Sequence, residues 1–207
     1  IKNYHPSVKG LACVDTAPVM EKVWAQRAGL GWIGKHTNLI TPDHGSWLFL
    51  GEIILDIDLK PDPFFSEDLC GTCTACLDSC PTNALTEYRI EAEKCISYKT
   101  IEHRGDFSEK EENLHGWIYG CDICQDVCPW NKKFSKETDL KEFLPKDEII
   151  NWSNKDWENI SDESFKRIFK GSSGKRTKLI GLKRNLSQNK KSLKRNLKCF
   201  KQEFYCF

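Results

Sequence analysis

An α+β chain in three regions is the fold class this sequence predicts, on three observations. Residues 1–62 combine one helix-like pattern with one strand-like apolar run. Residues 63–135 are dominated by closely spaced cysteines. Residues 136–207 carry apolar side chains at helical spacing and an excess of Lys and Arg.

In the first region Thr16-Ala17-Pro18 has the form of a helix start, with Pro near the first turn where its missing N–H is harmless. Val19, Val23, Ala25, Gln26 and Arg27 continue the pattern until Gly29-Leu30-Gly31 stops it. Trp47 to Leu55 then has the composition of a buried strand, interrupted only by Glu52. Gly29, Gly31 and Gly34 either form turns or let backbone approach a bound group closely.

The second region holds the most specific pattern. Cys70, Cys73, Cys76 and Cys80-Pro81 fit C-x2-C-x2-C-x3-C-P, the run that ligates 4Fe–4S clusters. Three thiolates at that spacing wrap one cluster, and the fourth reaches a second. Cys121, Cys124 and Cys128-Pro129 repeat the end of the run, and Cys95 supplies the missing member. The predicted sets are therefore Cys70, Cys73, Cys76 and Cys128 for one cluster, and Cys80, Cys95, Cys121 and Cys124 for the other. Zinc sites favour two separated cysteine pairs, which three cysteines within seven residues do not resemble. A disulfide framework fits less well still. Cys13, Cys199 and Cys206 remain as buried or incidental thiols. Short helices are expected between ligands, including one over Ile90–Ile101 that carries Cys95.

In the third region Trp152, Trp157, Ile160, Phe165, Ile168 and Phe169 form the apolar side of a helical unit. Gly171-Ser172-Ser173-Gly174 interrupts it. Leu179, Leu182, Leu186, Leu193 and Leu197 then recur at spacings of three, four and seven along a basic helix. Residues 166–201 hold 14 Lys and Arg with no acid, whereas residues 1–165 hold 17 Lys and Arg against 29 Asp and Glu. Such a segment either draws in a polyanion or forms a solvated tail. No apolar run is long enough for a membrane span, and no signal peptide is visible. The first residue is Ile, as expected of a piece of a longer protein.

Further motifs surround the cysteines. They are Val14-Asp15-Thr16-Ala17-Pro18, Arg27-Ala28-Gly29-Leu30-Gly31-Trp32-Ile33-Gly34-Lys35, Ile40-Thr41-Pro42 and Gly45-Ser46-Trp47, then Cys95-Ile96-Ser97-Tyr98 and Gly120-Cys121 through Asn131. Together and in this order, the chain resembles the epoxyqueuosine reductases, closely over residues 11–135 and more weakly over Phe165 to Asn185. The resemblance implies a partial nitroreductase-like cobalamin-binding domain, a bacterial two-cluster ferredoxin module and a helical C-terminal part. It implies a cytoplasmic, monomeric oxidoreductase without membrane contact. That enzyme would reduce epoxyqueuosine to queuosine in the anticodon loop of tRNA, the last step of queuosine synthesis. Electrons would come from a low-potential donor of ferredoxin or flavodoxin type and pass through both clusters to cobalamin.

Carried over residue by residue, the resemblance makes Asp15 the proton donor. The role requires an acid that keeps its proton near neutrality, which burial against an apolar macrocycle supplies. The residue type alone equally suits a cap for the following helix. Ile40, Thr41, Gly51, Ser97 and Asp122 are the expected cobalamin contacts, although Ile40 also reads as core and the last two as neighbours of cluster ligands. Lys22, Lys175, Arg176, Lys178, Lys183 and Arg184 are the expected tRNA contacts. His36, His44, His103 and His115 show no ligand spacing and read as loop residues. Two other readings remain: a cobalamin and iron–sulfur reductase of the reductive dehalogenase kind, and a ferredoxin-like electron carrier without cobalamin.

Overall fold

Closely spaced Cys, Gly and Pro permit only short elements joined by turns, and the computed structural model has them. It describes residues 3, 5–107, 113–191 and 198–199, with residues 191, 198 and 199 described by backbone. The first elements are strand β1 (Gly10–Cys13), helix α1 (Glu21–Arg27), and strands β2 (Trp32–Ile33), β3 (Leu39–Ile40) and β4 (Glu52–Leu55). Helix α2 (Ala75–Asp78), strands β5 (Leu85–Thr86) and β6 (Arg89–Ile90), helix α3 (Ile96–Ile101) and strand β7 (Trp117–Tyr119) follow. Helices α4 (Ile123–Asp126), α5 (Pro129–Phe134), α6 (Asp147–Ile150), α7 (Asn154–Glu158), α8 (Asp162–Ile168) and α9 (Lys178–Lys191) precede a last strand, β8 (Lys198–Cys199). The mixture of helices and two-stranded ribbons agrees with the α+β class.

The chain divides into two units, each drawn from several stretches. The first comprises Ile1–Asp78, Leu85–Arg89 and Cys124–Ser135; the second comprises Ser79–Ala84, Ile90–Ile123 and Lys136–Phe207.

In the first unit β1 pairs antiparallel with β4, from Gly10↔Leu55 to Cys13↔Glu52. The expected buried strand over Trp47–Leu55 is shorter than its apolar run, and Ile53 and Ile54 are exposed. A two-stranded ribbon has no third layer to bury against, and an apolar run does not encode what covers it. Helix α1 starts at Glu21, later than Pro18, and its cap residue Met20 makes no side-chain bond. Asp15 therefore does not cap it. It adopts φ +51, and the neighbouring Thr16 Oγ1 accepts from Val14 N–H at 3.2 Å. Beyond the helix, β2 and β3 pair as a hairpin through Trp32↔Ile40 and Ile33↔Leu39. A Cβ on Gly31 would lie 2.0 Å from the Ile40 carbonyl oxygen, and one on Gly34 would lie 2.5 Å from Ile40 Cδ1. Gly31 thus admits the Ile40 backbone and Gly34 the Ile40 side chain, both from the chain's own hairpin. Cys13 is buried, as expected of an incidental thiol.

The second unit is built on one apolar core. Trp157, Ile160, Phe165, Ile168 and Phe169 meet Ile118, Leu182 and Leu186, with Trp152 and Leu179 packed alongside. The helical spacing therefore identified the buried face. Leu193 and Leu197 lie outside the described residues, as do Cys206 and the side chain of Cys199. Helix α7 is started by a reciprocal cap between Ser153 and Asp156, and α8 by Ser161 Oγ accepting from Ser164 N–H. Cys95 does not lie within a helix. A 3-10 turn over Ala92–Lys94 precedes it, and Cys95 is the extended cap residue of α3, with ψ 124. Parallel pairing joins β7 to β8 through Trp117↔Lys198 and Tyr119↔Cys199.

Candidate functional site

The first unit gathers Cys70, Cys73, Cys76 and Cys128. Burial pushes the Cys76 thiol up, reinforced by Cys70 and Cys128. Burial likewise raises Cys128, opposed by the N–H groups of Asn131 and Trp130 at the start of α5 and reinforced by Cys70 and Cys73. Thiols that shift one another in this way share one locality. Cys128 thus lies near Cys70 and Cys73.

Local structure fixes these ligands from outside the cysteine run. Cys70 N–H donates to Asp68 Oδ1 at 3.0 Å, and Tyr88 Oη–H donates to the same carboxylate. Trp32 Nε1–H donates to Cys70 Sγ at 3.4 Å. The α5 end is tied down by Asn131, which is almost fully buried. Its Oδ1 accepts from Ser46 N–H at 2.6 Å, and its Nδ2 donates to Ser46 Oγ and Gln125 O at 2.8 Å each. Gly45 makes this approach possible, since a Cβ there would lie 2.2 Å from Asn131 Oδ1.

The second unit holds Cys80, Cys95 and Cys121 together. Burial pushes Cys121 up to about 12, with Asp122, Cys95 and Cys80 adding to the rise. Cys80 Sγ accepts from Ala84 N–H at 3.3 Å. Cys124 is the first residue of the final stretch of the first unit, Cys124–Ser135. Among the described residues no three His, Cys, Asp or Glu side chains converge tightly enough to hold a single ion. A four-iron cluster instead takes one thiolate at each of four corners. Grouped, desolvated thiols fit that requirement, because iron supplies the positive charge that favours thiolate.

Helix α9 braces the second group through polar contacts that the sequence reading did not identify. Arg184 commits all five of its donors within the unit. Nη1 reaches the carbonyls of His103 and Gly105 at 2.9 Å each, Nη2 reaches Lys99 O and Asn185 Oδ1, and Nε also reaches Asn185 Oδ1. Its guanidinium lies 4.4 Å from the Phe107 ring centroid. It therefore caps the carbonyl end of α3 and has no donor left for a phosphate. Arg184 is one of the residues expected to contact tRNA, and here its donors are spent on protein acceptors. The fully buried Asn185 donates to Thr100 O at 2.8 Å and Ile118 O at 2.9 Å. Thr100 Oγ1 in turn accepts from Gly120 N–H at 2.9 Å. These bonds join the helix that Cys95 caps to the strand end that precedes Cys121.

The other expected site residues fall in several places. Asp15 is exposed at the end of the β1–β4 ribbon, where Val14 is also exposed and Gly51 presents bare backbone. An apolar, glycine-edged surface of this kind fits one face of a corrin. Ile40 is completely buried in the chain's own core, so its side chain packs against protein. Thr41 Oγ1 donates to Gly45 O at 3.3 Å and accepts from His44 N–H at 3.2 Å. Ser97 and Asp122 are half-buried beside Cys95 and Cys121 in the second unit. Lys22 Nζ donates to Thr37 O at 2.9 Å, and Arg176 pairs with Glu102. Lys175, Lys178 and Lys183 are exposed. His36 is not the ordinary loop residue expected: it is buried, its Nδ1 accepts from Asn38 N–H at 3.2 Å, and burial lowers its pKa to about 4.

Comparison with known proteins agrees with this arrangement. Residues 69–131 match the family model of a 4Fe-4S double cluster binding domain. The epoxyqueuosine reductase of Leadbetterella byssophila is 50% identical over 181 residues, which is 87% of this chain and 59% of that protein. That of Synechocystis sp. is 46% identical over 187 residues, 89% of this chain and 64% of that protein. A crystal structure of epoxyqueuosine reductase with an epoxyqueuosine-modified tRNA-Tyr stem loop superposes with a TM-score of 0.81 at 34% identity, covering 91% of this chain and 51% of that chain. The Bacillus subtilis enzyme, solved with its aspartate-bearing catalytic loop swung out of the active site, gives 0.79 at 32% identity, covering 91% of this chain and 50% of that one. This chain spans about three-fifths of the curated relatives and half of the solved chains. Across that span the chain is similar to the epoxyqueuosine reductases.

Proposed function

We propose that this chain is the cluster-bearing part of an enzyme that reduces epoxyqueuosine to queuosine in tRNA. The observation that carries the reading is the sorting of thiols into two localities, with Cys128 beside Cys70 and Cys80 beside Cys121. It supports Cys70, Cys73, Cys76 and Cys128 as ligands of one cluster, and Cys80, Cys95 and Cys121 as ligands of the other, to which the cysteine spacing adds Cys124. Residues 1–62 are read as part of a nitroreductase-like cobalamin-binding domain, residues 63–135 as the cluster module and residues 136–207 as the basic helical part.

When bound, the clusters and cobalamin would carry two electrons from a low-potential donor to the epoxide. The balanced reaction consumes two electrons and two protons, opens the epoxide to an alkene and releases water. Asp15 would give one of those protons to the departing oxygen. Its left-handed backbone turns the residue away from α1, and its exposure leaves the carboxyl accessible to substrate. The solved Bacillus subtilis relative is likewise described by an aspartate on its catalytic loop. Val14 and Gly51 would offer an apolar floor and bare backbone to the corrin. Lys175, Lys178 and Lys183 would meet phosphates of an opened anticodon loop. The setting is cytoplasmic, and no described helix is long and apolar enough to cross a membrane.

The test is anaerobic reconstitution of the chain with iron, sulfide and cobalamin, followed by turnover with epoxyqueuosine-modified tRNA. Asp15→Asn should keep both clusters and bound cobalamin and lose turnover. Full turnover in that variant refutes the proton-donor role. About eight irons without cobalt would leave only an electron carrier. Turnover independent of tRNA would point to a reductase of another substrate.

A further inference from the structure

The Trp32 side chain, distant in sequence from the cysteine run, bonds to a predicted ligand sulfur. Its Nε1–H points at Cys70 Sγ at 3.4 Å, and the residue is almost fully buried. The indole is held by its neighbours. It stacks on Phe65 at 5.7 Å and meets the edge of Trp130 at 4.8 Å, and it packs against Ile40 and Cys128. The hairpin register places it opposite Ile40, with Gly31 allowing the close backbone approach. The indole N–H is a donor only and needs an acceptor when buried. Trp130, in the same aromatic group, directs its own N–H to Leu69 O at 3.3 Å.

We propose that Trp32 raises the reduction potential of the cluster held by Cys70, Cys73, Cys76 and Cys128. The inference rests on the reading of those four residues as ligands. Adding one electron increases the negative charge shared by the iron and its thiolates. A donor aimed at a ligand sulfur stabilises that reduced form more than the oxidised form, and such bonds are among the factors that set cluster potentials. The bond comes from the segment expected to hold cobalamin, so the same hairpin would tune the electron source for that cofactor.

The experiment is a redox titration of the reconstituted full chain, followed by electron paramagnetic resonance, with iron content measured on each sample. Trp32→Phe removes the donor and keeps an aromatic ring. Trp130→Phe removes an indole of the same group that donates elsewhere. Trp32→Phe should retain the parent's iron and move one of two reduction waves to more negative potential, by about a tenfold fall in the one-electron equilibrium constant, or about 59 mV. Trp130→Phe should leave both waves in place. Equal shifts in the two variants, or no shift in Trp32→Phe, overturn the proposal. Should Trp32→Phe lose iron, benzothienylalanine at position 32 keeps the bicyclic shape without the N–H. An unshifted wave in that protein overturns the proposal equally. A parent chain that forms no four-iron cluster refutes the ligand assignment instead.

Discussion

Replacing Asn185 by Leu is the sharpest test of the brace formed by α9. Leu fills a similar volume, so the perturbation is polar rather than a cavity. Four hydrogen bonds are lost: two amide donations, to Thr100 O and Ile118 O, and two acceptances from Arg184. Thr100 O keeps a partner, because Thr177 Oγ1 also donates to it at 2.9 Å. At about 1 kcal/mol for each bond, less what Arg184 recovers from water, the loss is about 3 kcal/mol. With a urea slope of about 2 kcal/mol/M, the unfolding midpoint should fall by about 1.5 M. Lys183→Ala, on an exposed neighbour, should stay within about 0.5 kcal/mol of the parent. The assay is urea unfolding of the cluster-free chain followed by tryptophan fluorescence, since Trp117 and Trp157 are buried in this unit. A midpoint for Asn185→Leu that matches Lys183→Ala would refute the brace.

Two further outcomes follow from the electrostatics. Burial holds the folded-state pKa of His36 at about 4, below its ordinary value of 6.5, so the unfolded chain binds the proton more readily. Stability from this group is therefore complete above about pH 6.5 and is lost as pH falls, levelling off below about pH 4 at a cost of about 3 kcal/mol. Urea midpoints measured across that window should show the decline, and His36→Gln should flatten it; an unchanged profile would mean that another group is responsible. Changing Lys175, Lys178 and Lys183 together to Gln should weaken tRNA binding and reduce the slope of log affinity against log salt by about 2. An unchanged slope would make the three lysines a solvated face.

How much could be read in advance depended on whether a feature was local. The cysteine runs were legible because ligand spacing is written within a dozen residues. The proposed crossing of Cys80 and Cys128 rests on the same pattern. Trp157, Phe165 and Leu182 were legible because a helix repeats its buried face. Trp47–Leu55 misled because apolar composition does not say what covers a strand. The bracing contacts of Arg184 were illegible for a related reason. A cation in a basic run looks solvated until the carbonyls of Lys99, His103 and Gly105 are brought to it. Asn131 and Asn185 carry no signal in isolation, since their partners lie 85 residues away in Ser46 and Thr100.

The proposed exchange of the fourth cysteine between runs would also set an order of synthesis. When Cys95 has been made, the first set has three of its proposed members and the second has two. Neither gains another until Cys121. The second set is then complete at Cys124 and the first only at Cys128. Both centres therefore wait on the same eight residues, and iron delivered earlier in translation meets two unfinished sites. A nascent chain halted before Cys121 would present five of the proposed ligand thiols with no closed set, a state exposed to oxidation and to other metals.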